Sequence, residues 1–275
     1  MAGQALRGRL TGQDRASRYR TVALRALASL SAGDRRPKTL HRLRTHLRRL
    51  QAYLELVEEE ENAAIMARCV SRFSRLRTLQ VFEPYLDHLG APGQDRRLVH
   101  ERIQAMQRRL KDEHTYRTVK RLVEYHALPP TPAASDWMGR HIIALRRIHA
   151  DRLRELIAQA EAKPRRKTLH TLRLMIKSIR YQEEWALSEP YARPDLVAWL
   201  KHAQTVLGEY EERAQFRKLA AKLGLKSQAL IDKDWRRARD RARTLPARLA
   251  ELVAGMTRGH LRLVRAAGPS ARVAF

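Results

Sequence analysis

The 275-residue chain carries 56 Lys and Arg against 29 Asp and Glu, a formal charge of +27, with 44% hydrophobic and 6% aromatic residues. That apolar share buries a core and sets disorder aside, while 12 Gly and 11 Pro are too few for a turn-rich β-sandwich or barrel. The cation excess calls for a polyanionic partner, whether nucleic acid, anionic membrane or inorganic polyphosphate, although a bias toward Arg codons accounts for the composition equally well.

Helical periodicity runs through nearly the whole chain. Tyr19, Val22, Leu24, Leu27 and Leu30 form an apolar stripe that predicts a helix over Arg15–Leu30. Pro37 suits the first turn of a second helix reaching about Glu60. Further helices are expected over about Asn62–His88, Gln94–Ala127, Ser135–Ala162, Arg165–Leu187, Pro194–Leu223 and Ser227–Met256. The segment Pro129-Pro130-Thr131-Pro132 is the clearest break, and it divides the chain into similar halves.

Those halves read as repeats. Lys38-Thr-Leu-His-Arg-Leu-Arg44 returns as Lys167-Thr-Leu-His-Thr-Leu-Arg173, and the match continues with Leu47 against Ile176, Arg48 against Lys177 and Leu50 against Ile179. Ala-Leu-Arg25 matches Ala-Leu-Arg146 upstream, while Phe82 and Gly90 face Phe216 and Gly224 downstream. The expectation is an all-α chain: one domain over residues 10–265, made of two pseudo-symmetric four-helix bundles (about 15–128 and 135–265) from an internal duplication.

The two matched helices carry the functional signal. At about 100° per residue, Leu40, Leu43, Leu47, Leu50 and Leu54 share one arc, while His41, Arg44 and Arg48 occupy another, with Arg49 flanking it. His170, Arg173, Lys177 and Arg180 repeat the pattern beside Leu169, Leu172, Ile176 and Ile179. Like charges at these spacings weaken an isolated helix, so a merely solvated face is expected to mix in acids. Here the one-sign face occurs twice. A rail of Arg forks and a Lys, one helical turn apart, suits a chain of linked phosphates.

The pattern His41-x-x-Arg44-x-x-x-Arg48-Arg49 and its partner His170-x-x-Arg173-x-x-x-Lys177-x-x-Arg180-Tyr181 resemble the two signature helices of the CHAD family, the conserved histidine α-helical domain. Leu207-Gly208-Glu209-Tyr210-Glu211-Glu212 is similar to that family's Leu-Gly stretch, and the resemblance spans about Arg15 to Leu263. It implies two pseudo-symmetric four-helix bundles and a basic surface, lined by the signature helices, that binds inorganic polyphosphate. Gln51, where the family usually has Arg, Ser178, opposite Arg49, and Leu76-Arg77-Thr78-Leu79-Gln80 depart from the pattern.

Lys38 and Lys167 open the same helices and join the candidate binding set. Arg25 and Arg146, with Arg117 and Arg121 (matched by Arg239 and Arg243), are weaker candidates, since each equally suits an ordinary exposed face. The acidic run Glu58–Glu61 reads as solvated, or as a fence at one end of the surface.

Nothing in the sequence calls for catalysis or a cofactor. There is no His-Glu-x-x-His, no P-loop and no Glu-x-Glu-x-Lys strand of a triphosphate-hydrolysing barrel. Cys69, the single cysteine, rules out internal disulfides and fits a reducing compartment. With no apolar signal region in Met1–Leu10 and no membrane-length apolar run, the expected location is the cytoplasm. A polyphosphate binder, sited at polyphosphate granules, is the leading expectation. The alternatives are a nucleic-acid binder, holding duplexes non-specifically at low salt, and a scaffold for acidic proteins.

Overall fold

The computed structural model describes residues 12–126, 128–129, 137–187 and 192–257. The expected domain limits at 10 and 265, the start of the second repeat at 135, Met1–Leu10, Leu263 and Pro130–Pro132 lie outside these residues. The described residues form ten α-helices and no strand. In order they are α1 (Gly12–Ser31), α2 (Pro37–Leu56), α3 (Glu60–Arg72), α4 (Ser74–His88), α5 (Gly93–Asp112), α6 (Thr115–Tyr125), α7 (Trp137–Ala162), α8 (Arg166–Ala186), α9 (Pro194–Leu223) and α10 (Gln228–Thr257).

Local chemistry sets most boundaries where the sequence places them. Pro37 and Pro194 occupy the first turns of α2 and α9, where the missing N–H has no intrahelical partner to lose. Gly90 and Gly224, the pair matched between the halves, both take left-handed backbone (φ 66° and 63°) after α4 and α9. A side chain there would be strained, so both helices stop at a glycine.

Two boundaries correct the expectation of eight helices. The predicted helix over 62–88 breaks at Phe73, and the one over 94–127 breaks where His114 adopts φ 52°. The breaks belong together. Phe73, fully buried, stacks on Tyr116, two residues past the second break, with ring centroids 5.8 Å apart. That ring pair joins the two breaks, whereas α9 and α10 each run 30 residues without interruption.

In the second half α7, α8, α9 and α10 close a ring around Leu153, Leu172, Ile176, Leu200, Leu207 and Leu249. In the first half α1, α2, α3 and α6 surround Leu27, Leu43, Leu47 and Val119, with α4 and α5 alongside. The first core also takes in Trp185, Phe216 and Ile231 from the second half.

The halves meet where α2 lies against α8 and α4 against α9. Two aromatic clusters fasten that seam. Trp185 of α8 packs against Tyr53 and Tyr19 at 5.1 and 5.4 Å, and Arg15 donates to its carbonyl at 2.9 Å. Phe216 of α9 meets Phe82 and Tyr85 of α4, both at 4.8 Å, and the Tyr85 hydroxyl donates to Asp234 at 2.8 Å. Tyr53 donates to the Pro129 carbonyl at 2.7 Å, tying the described end of the mid-chain break to α2.

Within the second half, Arg146 of α7 grips Glu183 of α8 with two bonds of 2.8 and 2.7 Å, and Glu183 is only 2% exposed. Arg146→Ala leaves that carboxylate buried without its bidentate partner, with Arg193 within electrostatic reach. The expected cost is about 3 kcal/mol, measured by urea unfolding; a change below about 1 kcal/mol contradicts this structural role.

Candidate anion-binding site

Leu40, Leu43, Leu47 and Leu50 on α2, and Leu169, Leu172, Ile176 and Ile179 on α8, are all at most 1% exposed. Burying these stripes fixes the rotation of both helices and brings the neighbouring cation stripes together at the seam. Lys177 lies within electrostatic reach of Arg48, Arg173, Arg44 and Arg180. Arg48 in turn feels Tyr181, Arg173 and Arg180.

Burial first, and then the neighbouring guanidiniums, push the Lys177 ammonium down to about 6 and Arg44 down to about 10. At an effective dielectric of about 20, two like charges about 6 Å apart repel by roughly 3 kcal/mol, so the grouping opposes folding.

Some cations elsewhere are matched with acids. Arg36 pairs with Asp34 (2.8 Å), Arg217 with Asp232 (2.7 Å) and Arg241 with Glu209 (2.9 Å). At the seam, Arg48, Arg173 and Lys177 make no hydrogen bond or ion pair among the described residues, and the Arg173 Nε is buried without a partner. Arg44 spends its donors on the Val70 carbonyl (2.6 Å) and the Ser74 hydroxyl (3.1 Å), both at the α3–α4 break. Arg180 is held by Gln204 at 2.9 Å and by Glu184, and lies over Tyr181. Glu212 faces Arg173 and Arg77, and burial raises its carboxyl above the usual range.

Arg77 of α4 is the member that the sequence reading passed over. It is partly desolvated, which lowers its pKa, and it faces His41. A signal was present: in the register that pairs Phe82 with Phe216 and Gly90 with Gly224, Ser74 corresponds to Gly208 and Arg77 to Glu211. Gly208 leaves room for Arg173, whose Nε would sit 3.7 Å from a Cβ added there. Ser74 instead bonds Arg44.

The two histidines thus have opposite neighbours. His41 is disfavoured as a cation by burial and then by Arg77 and Arg44. His170 Nδ1 stands 3.6 Å from Glu211, which Arg166 also grips at 2.7 Å.

The other candidates separate by place. Arg49 turns to Glu184 (3.7 Å) and the Tyr19 ring, bracing α2 against α8 and α1. Arg146, in its bidentate pair with Glu183, is a structural cation. Lys38 and Lys167 are exposed near the starts of α2 and α8. Arg25 on α1 and Arg117 and Arg121 on α6 are exposed, and among the described residues no contact places them at the seam.

The departures Gln51 and Ser178 meet at one carboxylate, both donating to Glu55 (2.8 and 3.2 Å) with Gln182 (3.2 Å). Glu55, Arg48, Lys177 and Tyr181 line a cleft of about 260 Å³ between α2 and α8. The run Glu58–Glu61 leads into α3, where Glu60 and Glu61 in the first turn favour the helix dipole. Cys69 is fully buried with its thiol pushed up to about 11, unsuited to act as a nucleophile. Among the described residues, no three His, Cys, Asp or Glu side chains group to hold a metal. No helix there is long and apolar enough to cross a membrane.

The family model for the CHAD domain matches residues 15–221. Among solved structures, the chain is similar to the CHAD domain from the plant Ricinus communis, with TM-score 0.61 and 16% identity over 93% of this chain and 96% of that one. It is also similar to PptA from Streptomyces chartreusis, with TM-score 0.54 and 16% identity over 91% and 98% of the two chains. At these identities the likeness is one of fold. No curated protein matches the chain.

Because the pKa of Lys177 falls on folding, the unfolded chain binds the extra proton between about pH 6 and 10, and stability rises with pH across that window. Lys177→Met removes the penalty. Its urea midpoint should exceed that of the wild type most at pH 6, with the gap narrowing toward pH 9; a gap independent of pH contradicts the burial of this amine among like charges.

Proposed function

Since the chain belongs to the CHAD family, we propose that it binds inorganic polyphosphate at the α2–α8 seam and performs no chemistry on it. One observation carries the proposal: Arg48, Arg173 and Lys177 are partly buried, mutually repelling and unmatched by any acid bound to them. A stability-driven fold has no use for such a group, whereas a dense polyanion converts each repulsion into an attraction. Arg44, Arg77 and His41 extend the cluster toward the first half. Glu211 partly neutralises the corresponding end of the second, so the first half holds the greater share of the chain of phosphates. The duplication read from the sequence accounts for Arg48 and Lys177 meeting at the seam.

Nucleic acid suits the site less well. Tyr181, which lines the cleft with Arg48 and Lys177, is only 8% exposed and offers bases no stacking platform. Lys38 and Lys167 lie at the exposed ends of the signature helices, where screened contacts add little. Arg25, Arg117 and Arg121 act, at most, as an outer field that draws polyanions in. A cytoplasmic chain with this ligand belongs at polyphosphate granules.

Arg48 and Arg173 bond to nothing in the described protein, so removing them isolates function from fold. The double variant Arg48→Ala, Arg173→Ala should bind polyphosphate at least about a hundredfold more weakly, while its melting temperature holds or rises. Adding Arg44→Ala and Lys177→Ala should abolish binding with little loss of helicity by circular dichroism. Retained affinity in a folded variant contradicts the site.

A further inference from the structure

We infer that Lys177 is a site of covalent self-modification, at which its side-chain amine is acylated by small acyl phosphates. The inference rests on the part of the reading above that concerns the grip on phosphate, and not on polyphosphate being the natural ligand.

The reaction has two requirements, a phosphate held beside a nucleophile and a nucleophile carrying a free electron pair. Arg48, which lines the same cleft as Lys177, supplies the first, with Arg173 and Arg44 within electrostatic reach of the amine and the Arg173 Nε without a partner. Lys177 supplies the second. Its surroundings are Arg44 and Arg48 from α2, Arg173 and Arg180 from α8, and Glu55 across the cleft. Glu55 is already taken up by Gln51, Ser178 and Gln182, and the amine has no hydrogen bond or ion pair to keep it charged.

An ordinary lysine is neutral in about one part in a thousand near pH 7.5. Lys177, pushed down to about 6, is mostly neutral there, although its lower basicity takes back part of the gain in reactivity. Lys177 lines the cleft of about 260 Å³, which has room for a small acyl phosphate.

The step balances without a further reagent. The Lys177 nitrogen attacks the acyl carbonyl, a C–N bond forms, and the C–O bond to phosphate breaks. Orthophosphate leaves with the electron pair, and the nitrogen loses one proton to solvent. The product is an amide that can no longer carry charge. The site can then no longer gain a cation at that position, and a phosphate chain already bound, by protonating and covering the amine, blocks the reaction.

The test treats the full chain with acetyl phosphate at pH 7.5 and reads each lysine by peptide mass spectrometry. Lys38 and Lys167, exposed on the same two helices, serve as internal references. Lys177 should label faster than either by about tenfold or more, and excess pyrophosphate should remove most of that advantage. A rate at Lys177 no greater than at Lys38 overturns the inference. So does an advantage untouched by pyrophosphate and equal with a neutral succinimidyl ester, because phosphate guidance would then be absent. Polyphosphate titration of the unmodified chain separates the two claims: weak polyphosphate binding with fast, pyrophosphate-protected labelling overturns the polyphosphate reading and supports this one.

Discussion

The repulsion among Arg44, Arg48 and Arg173, joined by Lys177 when it is protonated, is the constraint around which the rest of the molecule is arranged. Charges of one sign do not gather in a half-dry seam unless something stronger closes it. The apolar stripes of α2 and α8 and the rings at the seam supply that closure. Tyr53, Phe82 and Phe216 are at most 1% exposed, and each contributes roughly 4 kcal/mol by buried area, the same order as one like-charge repulsion in the cluster. The rings flank the cations on two sides, Trp185 toward α1 and Phe216 toward α4. The core therefore holds together a cluster whose charges repel one another.

The two halves hold their cations differently. In the first, the break at Phe73 presents the Val70 carbonyl and the Ser74 hydroxyl, and Arg44 is moored to both. In the second, α9 runs on unbroken, and Gly208 offers Arg173 space but no acceptor. Beside the signature histidines the sign changes as well, with Arg77 facing His41 and Glu211 facing His170. A fixed cation orients and a loose one adapts. One moored and one unmoored arginine across a seam suit a flexible ligand whose phosphates need not repeat one geometry.

Much of this was legible in the sequence because it is periodic. The stripes Leu40, Leu43, Leu47, Leu50 and Leu169, Leu172, Ile176, Ile179 fixed which faces are buried, and so placed Arg44, Arg48, Arg173 and Lys177 beside them. Glycine and proline marked most helix ends for the same local reason. What periodicity could not carry was partnership. Nothing local tells Arg146, buried against Glu183, from Arg25, exposed on α1, although the two match in sequence. The breaks at Phe73 and His114 carry no Gly or Pro, and what links them is a ring pair 43 positions apart in the chain, Phe73 with Tyr116. Arg77 was hidden because its counterpart, Glu211, has the opposite charge.

The central claim is that the seam recognises a flexible, closely spaced chain of phosphates and is not a generic cation patch. Competitive binding of long-chain polyphosphate against duplex DNA and RNA, at near-physiological salt, tests it most directly. Screening removes loose surface attraction under those conditions, while a desolvated cluster keeps its grip. The account predicts that polyphosphate wins by orders of magnitude. Equal competition from DNA or RNA would contradict it, and would leave the family's fold here with a surface that any polyanion can occupy.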